Sequence, residues 1–154
     1  MAEEKRKMAE EKIQSVMRDF LGAMASGDVE KTLSFCAEDG TWVGPQGTFK
    51  GKEELRRYLT WMLQSMQDMT VTESGLGIMA QGDRAFVEHV IGGTMQGMRV
   101  EVLAFCAYEF TSDGKIREIR SAYDQLSMAQ QAAKGWFAKW LVGLIVKQAQ
   151  KGLR

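Results

Sequence analysis

The stretch Gly114-Lys-Ile-Arg-Glu-Ile-Arg-Ser-Ala-Tyr-Asp124 decides how the rest of the sequence is read. It opens inside a reversal, Ser112-Asp113-Gly114-Lys115, whose Asp-Gly pair suits a hairpin turn. Ile116 and Ile119 then punctuate a polar run that reads as a strand. The strand stops on Asp124, one residue behind an aromatic, directly ahead of a helix-favouring segment. That order sets one acid where sheet and helix meet, and so points to a pocket.

Working back from that strand, the period of the apolar residues is two. Extended segments are expected over about 70–80, 84–93 and 98–110, parted by Gln81-Gly82-Asp83 and Met95-Gln96-Gly97. No proline interrupts them, so a curved antiparallel sheet follows, with Gly75, Gly77, Gly92 and Gly93 available to bulge and bend it. Further upstream the period is that of a helix. Ile13, Val16, Met17, Phe20, Leu21 and Met24 form one stripe, closed by Gly27. Asp28 caps a second short helix through Val29, Leu33 and Cys36. A short strand over 39–43 is cut off by Gly44-Pro45-Gln46-Gly47, and a third helix carries Leu55, Tyr58, Leu59 and Met62. Helices covering one face of an antiparallel meander make an α+β domain, here residues 1–126.

Residues 127–154 are a C-terminal extension, part of one amphipathic helix that starts at Gln125. Trp136, Phe137, Trp140, Leu141, Leu144 and Ile145 form its apolar face, against Lys139, Lys147, Gln150 and Lys151. The helix is too short and too charged to span a bilayer. Packing on the body or on a second subunit, peripheral contact with a membrane through 135–151, and a lid over the pocket all remain open.

The chain has 154 residues, 45% apolar and 26% charged, and its 20 basic and 20 acidic residues balance. That supports one domain with a real core. A zero net charge gives no basic field, so no nucleic acid partner is expected. Cys36 and Cys106 lie in unrelated patterns and read as two free, buried thiols of a cytoplasmic protein, with a single disulfide between them as the alternative. The charged N-terminus has no apolar core and does not read as a signal peptide. No cluster has metal-ligand spacing, and no cofactor is expected.

Several stretches, taken in order, resemble the nuclear transport factor 2-like superfamily, in particular its SnoaL-like polyketide-cyclase branch. They are Met24-Ala-Ser-Gly-Asp28, Phe35-Cys-Ala-Glu-Asp39 leading to Trp42 and Pro45, Phe49-Lys-Gly-Lys-Glu-Glu-Leu55, and Phe110-Thr-Ser-Asp-Gly-Lys-Ile116 running to Tyr123-Asp124. The resemblance implies a cone-shaped, cystatin-like α+β barrel, its curved sheet wrapped around helices and a deep apolar cavity. It also implies where chemistry would sit. Ketosteroid isomerase of this superfamily places a tyrosine, a base and an acid where this sequence has Phe20, Gly44 and Cys106, so those groups are missing. Limonene-epoxide hydrolase places two carboxylates where this sequence has His89 and Asp124, and its other polar groups become Val87, Trp42 and Gly44.

Two residues therefore stand as catalytic candidates. His89 is the sole histidine, within Phe86-Val-Glu-His-Val-Ile91, and its imidazole can move a proton near neutrality; the alternative is a hydrogen-bonded core histidine. Asp124 can orient that imidazole as a dyad partner, or it can cap the terminal helix. Phe20, Trp42, Tyr58, Cys106 and Tyr123 are expected to line the pocket. The expected ligand is small and apolar or polycyclic, and a homodimer is expected. Function is read as small-molecule binding, with isomerase- or cyclase-type catalysis by His89 and Asp124; the alternative is a non-catalytic binding or dimerisation module.

Overall fold

Helix α1 (Ala2–Ala25) lays its Met17, Phe20 and Met24 stripe into the core, and α2 (Val29–Ser34) follows at once. The Asp28 carboxylate caps α2 by accepting from the Lys31 backbone N–H at 2.9 Å. In this computed structural model, which describes residues 1–152, α2 ends at Ser34 and Cys36 already opens strand β1 (Cys36–Gly44). Pro45 and Gln46 then form the turn of a hairpin into β2 (Gly47–Lys50), a strand too short to show a period in the sequence. Helix α3 (Gly51–Ser65) buries Leu55, Tyr58 and Leu59.

The meander follows as β3 (Gln67–Gln81), β4 (Arg84–Met95), β5 (Met98–Phe110) and β6 (Ile116–Tyr123). The six strands form one curved, open sheet in the order β2-β1-β6-β5-β4-β3. The α+β class holds. The sheet is not antiparallel throughout, because β1 lies parallel to β6, with Trp42 beside Ile119. Of the four glycines expected to bend it, three lie at register slips. The β3–β4 register slips between Glu73 and Ile78, around Gly75 and Gly77 at φ +52° and +60°. It slips again between Gln67 and Thr70, opposite Gly93, while Gly92 and Gly93 stay in register with Glu101 and Val100 on β5. Gly93 also permits close packing, since a Cβ there would clash with the Met66 side chain.

One irregularity governs the site. Ile116 and Ile119 are both buried, although residues three apart on a flat strand face opposite sides. The β5–β6 register shifts there: Phe110 pairs with Ile116, but Glu109 pairs with Glu118. Arg117 is the extra residue of a bulge, and it resets which side chains point inward.

The tail is two helices rather than one. Helix α4 (Gln125–Ala132) and α5 (Gly135–Ala149) are separated by extended backbone at Ala133 and Lys134, and Gly135 takes φ +74°. Strand β6 ends at Tyr123, which leaves the β6-facing edge of β5 without a strand partner beyond Ala104. Helix α4 covers that edge. The Glu101 backbone N–H donates to Gln131 Oε1 and Gln131 Nε2 donates to the Glu101 carbonyl, both at 2.8 Å, so one side chain stands in for a missing strand.

Candidate functional site

On the concave face of the sheet, residues in register form rows. Val87, Cys106 and Ser121 make one row; His89, Ala104 and Tyr123 make the next; Ile91 and Val102 begin a third. Partners in register point to the same side, so these rows, except for Val87 buried beneath them, are the floor of a cavity. Its volume is about 510 Å³, with α3 contributing Tyr58 and Met62 and the tail contributing Met128, Ala138 and Val142. Ala104 is the smallest member of its row. It leaves open space between His89 and Tyr123, whose strands lie two sheet spacings apart, roughly 10 Å.

One wall is polar and cross-linked. Trp42 Nε1–H donates to Ser121 Oγ at 2.6 Å. The Tyr58 hydroxyl donates to Gln46 Oε1 at 3.2 Å, and Gln46 Nε2 donates to the Tyr123 hydroxyl oxygen. Because Tyr123 receives a hydrogen bond through its oxygen, its own O–H is left to donate elsewhere. Burial holds the Tyr58 phenol well above its ordinary range, so it remains a donor. Tyr58 is itself held by Phe49, stacked on it with ring centroids 4.2 Å apart.

His89 is 1% exposed, lines the cavity, and has a buried Nδ1 with no hydrogen-bond partner. Burial lowers its pKa below the usual histidine value, against a smaller opposing effect of the Val87 backbone. The imidazole is therefore neutral around pH 7 and able to accept a proton. A lowered pKa also has a stability signature. Above the unfolded value of about 6.5 both states are neutral and stability is full. As pH falls through 6.5 the unfolded chain binds a proton that the folded chain resists, and stability declines until the lowered folded pKa is reached. The melting temperature should fall between pH 7.5 and 5.5, and His89→Gln should flatten part of that fall. Identical slopes for both proteins would show that the imidazole is not held neutral by the fold.

The other expected site residues divide. Trp42, Tyr58, Cys106 and Tyr123 line the cavity. Burial raises the Cys106 thiol to about 11, only partly offset by contacts with Tyr108 and Ser121, so it is no nucleophile. Phe20 does not line the cavity. It is fully buried behind the wall, edge-on to Tyr108 and tilted against Trp42, with ring centroids 5.9 and 6.3 Å away.

Asp124 is the larger correction. It is exposed and does not line the cavity, and its carboxylate accepts the Ser127 backbone N–H at 2.9 Å as the N-cap of α4. The pleat explains this: Tyr123 is in register with inward-facing Ala104, so the next residue turns outward. His89 and Asp124 are not brought together. Seven polar residues of the lining were not foreseen: Gln46, Ser65, Gln96, Tyr108, Ser121, Gln125 and Lys134. Ser121 and Tyr108 were readable, each two residues from an inward neighbour, Tyr123 or Cys106. Gln46 was not, because it lies in a turn and carries no periodic signal.

Among the described residues no cluster of His, Cys, Asp and Glu side chains suits a metal ion. The sequence pattern of the SnoaL-like domain matches residues 17–119. No curated protein matches the chain. Among solved structures it is similar to a hypothetical protein with a ketosteroid isomerase-like fold from Catenulispora acidiphila, in complex with trimethylamine, at 20% identity and TM-score 0.71 over 81% of this chain and 95% of that one. It is similar to an LEH-like epoxide hydrolase of M. tuberculosis at 19% identity and TM-score 0.68, over 90% and 98% of the two chains. A proposed SnoaL-like polyketide cyclase from Shewanella denitrificans gives 10% identity and TM-score 0.69 over 77% and 95%. Likeness at such identities speaks for the fold, and the domain match covers well over half of the sequence. The chain belongs to the SnoaL-like domain family, within the nuclear transport factor 2-like superfamily.

Proposed function

We propose that the protein binds a small, largely apolar carbonyl compound in this cavity and moves a proton on it, as a cofactor-independent isomerase or cyclase. The observation that carries this reading is a buried His89, held neutral by that burial, that lines the cavity in one row with Ala104 and Tyr123. With a ligand lying over Ala104, His89 takes a proton from the carbon beside the carbonyl. The C–H electron pair becomes the enolate double bond and the carbonyl pair moves onto oxygen, which accepts the free O–H of Tyr123. The imidazolium then returns the proton to another carbon, or the enolate carbon attacks a second carbonyl in a ring closure and the proton goes to the new alkoxide. Asp124 has no part in this proposal, because its carboxylate is committed to the cap of α4.

A non-catalytic ligand-binding role is the second reading, and it is favoured by the absence of any carboxylate among the described residues of the lining. Both readings need the space above Ala104. Ligands with fused rings and a carbonyl, screened by thermal shift, should raise the melting temperature of the wild type. Ala104→Leu should fill that space and weaken their binding by at least tenfold while the apo protein stays folded, since the cavity accepts the added volume. Ligands that bind the variant as tightly would remove the cavity from the proposal. Ligands that bind only the wild type but never turn over would leave the binding role standing and end the catalytic one.

A further inference from the structure

Helix α5 carries its large apolar residues on the side facing away from the protein. Inward, it offers Ala138 and Val142 to the cavity wall. Outward, Trp136 is 81% and Trp140 54% exposed, and Phe137, Leu141, Leu144 and Ile145 are exposed with them. No residue of α5 is buried. At 100° per residue these six side chains form one continuous face. Lys147 and Lys151 follow on that same side at its C-terminal end, rather than opposite it as the sequence reading expected. A contiguous apolar patch of this kind on a protein surface marks an interaction site.

Charge identifies the partner. All twenty acidic residues lie within 1–124, together with fifteen of the twenty basic ones. From Gln125 onward the chain has five basic residues, Lys134, Lys139, Lys147, Lys151 and Arg154, and no acidic one. A neutral protein thus concentrates an unopposed positive charge on the segment that also exposes its tryptophans. We propose that α5 docks on an anionic lipid surface, its aromatic face in the acyl boundary and Lys139, Lys147 and Lys151 among the headgroups. No helix among the described residues is long and apolar enough to cross a membrane, and the 15 residues of α5 suit lying in the interface rather than spanning it.

A second copy of the chain fits this face less well. Two α5 helices face to face would bring like-charged lysines together. One helix side offers roughly 250 Å², against about 800 Å² per partner in a stable interface. The lipid partner also gives the helix a use for both of its sides, since Ala138 and Val142 wall the cavity while the opposite side rests on the membrane. An apolar compound dissolved in the bilayer would then meet the cavity at the surface where the protein sits. The docking itself does not depend on any chemistry at His89.

Cosedimentation of the full chain with vesicles tests this. Binding to equimolar phosphatidylglycerol and phosphatidylcholine should be at least tenfold tighter than to phosphatidylcholine alone, and should weaken with salt. Lys147→Gln with Lys151→Gln should reduce binding to the anionic vesicles by roughly 30-fold, about fivefold for each lysine. Trp136→Ser with Trp140→Ser should reduce it by at least tenfold without changing the melting temperature, because neither ring is buried. Equal binding to both vesicle types would overturn the anionic partner. No binding to either, with a wild-type dimer in sedimentation velocity that the tryptophan variant splits, would assign the face to a second copy. No binding and no dimer would overturn the docking altogether.

Discussion

Replacing His89 with Gln should lower kcat on a carbonyl substrate by roughly 10²- to 10⁴-fold, the range that positioned acid–base groups contribute. Gln keeps a polar group of similar size in the row His89–Ala104–Tyr123 but cannot carry a proton from one carbon to another. Binding of the ligand should change far less than turnover, since the apolar lining remains. The pH dependence of kcat/KM should show an acid limb below the usual histidine value, because burial lowers the pKa of the group that must be neutral. In the same assay Tyr123→Phe should cost about 10²- to 10³-fold by removing the donor to the enolate oxygen. Asp124→Asn is the decisive control. Asn still caps a helix, so the fold is kept, and the rate should stay at the wild-type level. A rate lost in Asp124→Asn and kept in His89→Gln would sink the assignment.

Phe20→Ala should destabilise the protein by about 3–5 kcal/mol, the cost of truncating a buried Phe. For a domain of this size that corresponds to a fall in melting temperature of roughly 10 °C or more. Phe20 is fully buried and meets the rings of Phe35, Trp42 and Tyr108 at centroid distances of 5.9 to 6.3 Å. The neighbouring rings are anchored on separate elements, so they cannot all collapse into the void. The loss would also slacken Trp42, whose indole holds Ser121. Urea unfolding reads the effect directly. A change in midpoint worth less than about 1 kcal/mol would mean that the core is far more plastic than close packing permits.

The helices and the meander were legible because their apolar periods of 3.6 and two extend over many residues. Ile13, Val16, Met17 and Phe20 need no partner to declare a helix, and Val100, Val102, Ala104 and Cys106 declare a strand by alternation alone. What could not be read was register. Counting by twos from Ile116 turns Asp124 inward, whereas counting from Ile119 turns Tyr123 inward. The bulge at Arg117 selects the second count, and nothing local in Lys115-Ile-Arg-Glu-Ile announces it, because it arises in the pairing with Glu109 and Phe110. The resemblance to an acid-bearing final strand favoured Asp124 for the same reason: it compares residue types and not the faces they occupy. Gln46 was hidden differently. Its place beside Tyr58 and Tyr123 is made by a turn meeting a helix and the last strand. The break between α4 and α5 was signalled only by Gly135, one glycine in a run of good helix formers.

The parallel pairing of β1 with β6 has a consequence for how the molecule is made. Trp42 and Ser121, which that pairing brings together, are 79 positions apart, and β6 is the last strand to leave the ribosome. Until it does, the β1–β2 hairpin has no further neighbour in the sheet, and the α3 side that packs on it stays unjoined to the β3–β5 side that packs on α1. Contacts so distant along the chain make for slow folding. They also ensure that a nascent or truncated chain lacking β6 has two incomplete pieces, each exposing an unpaired strand edge to its surroundings.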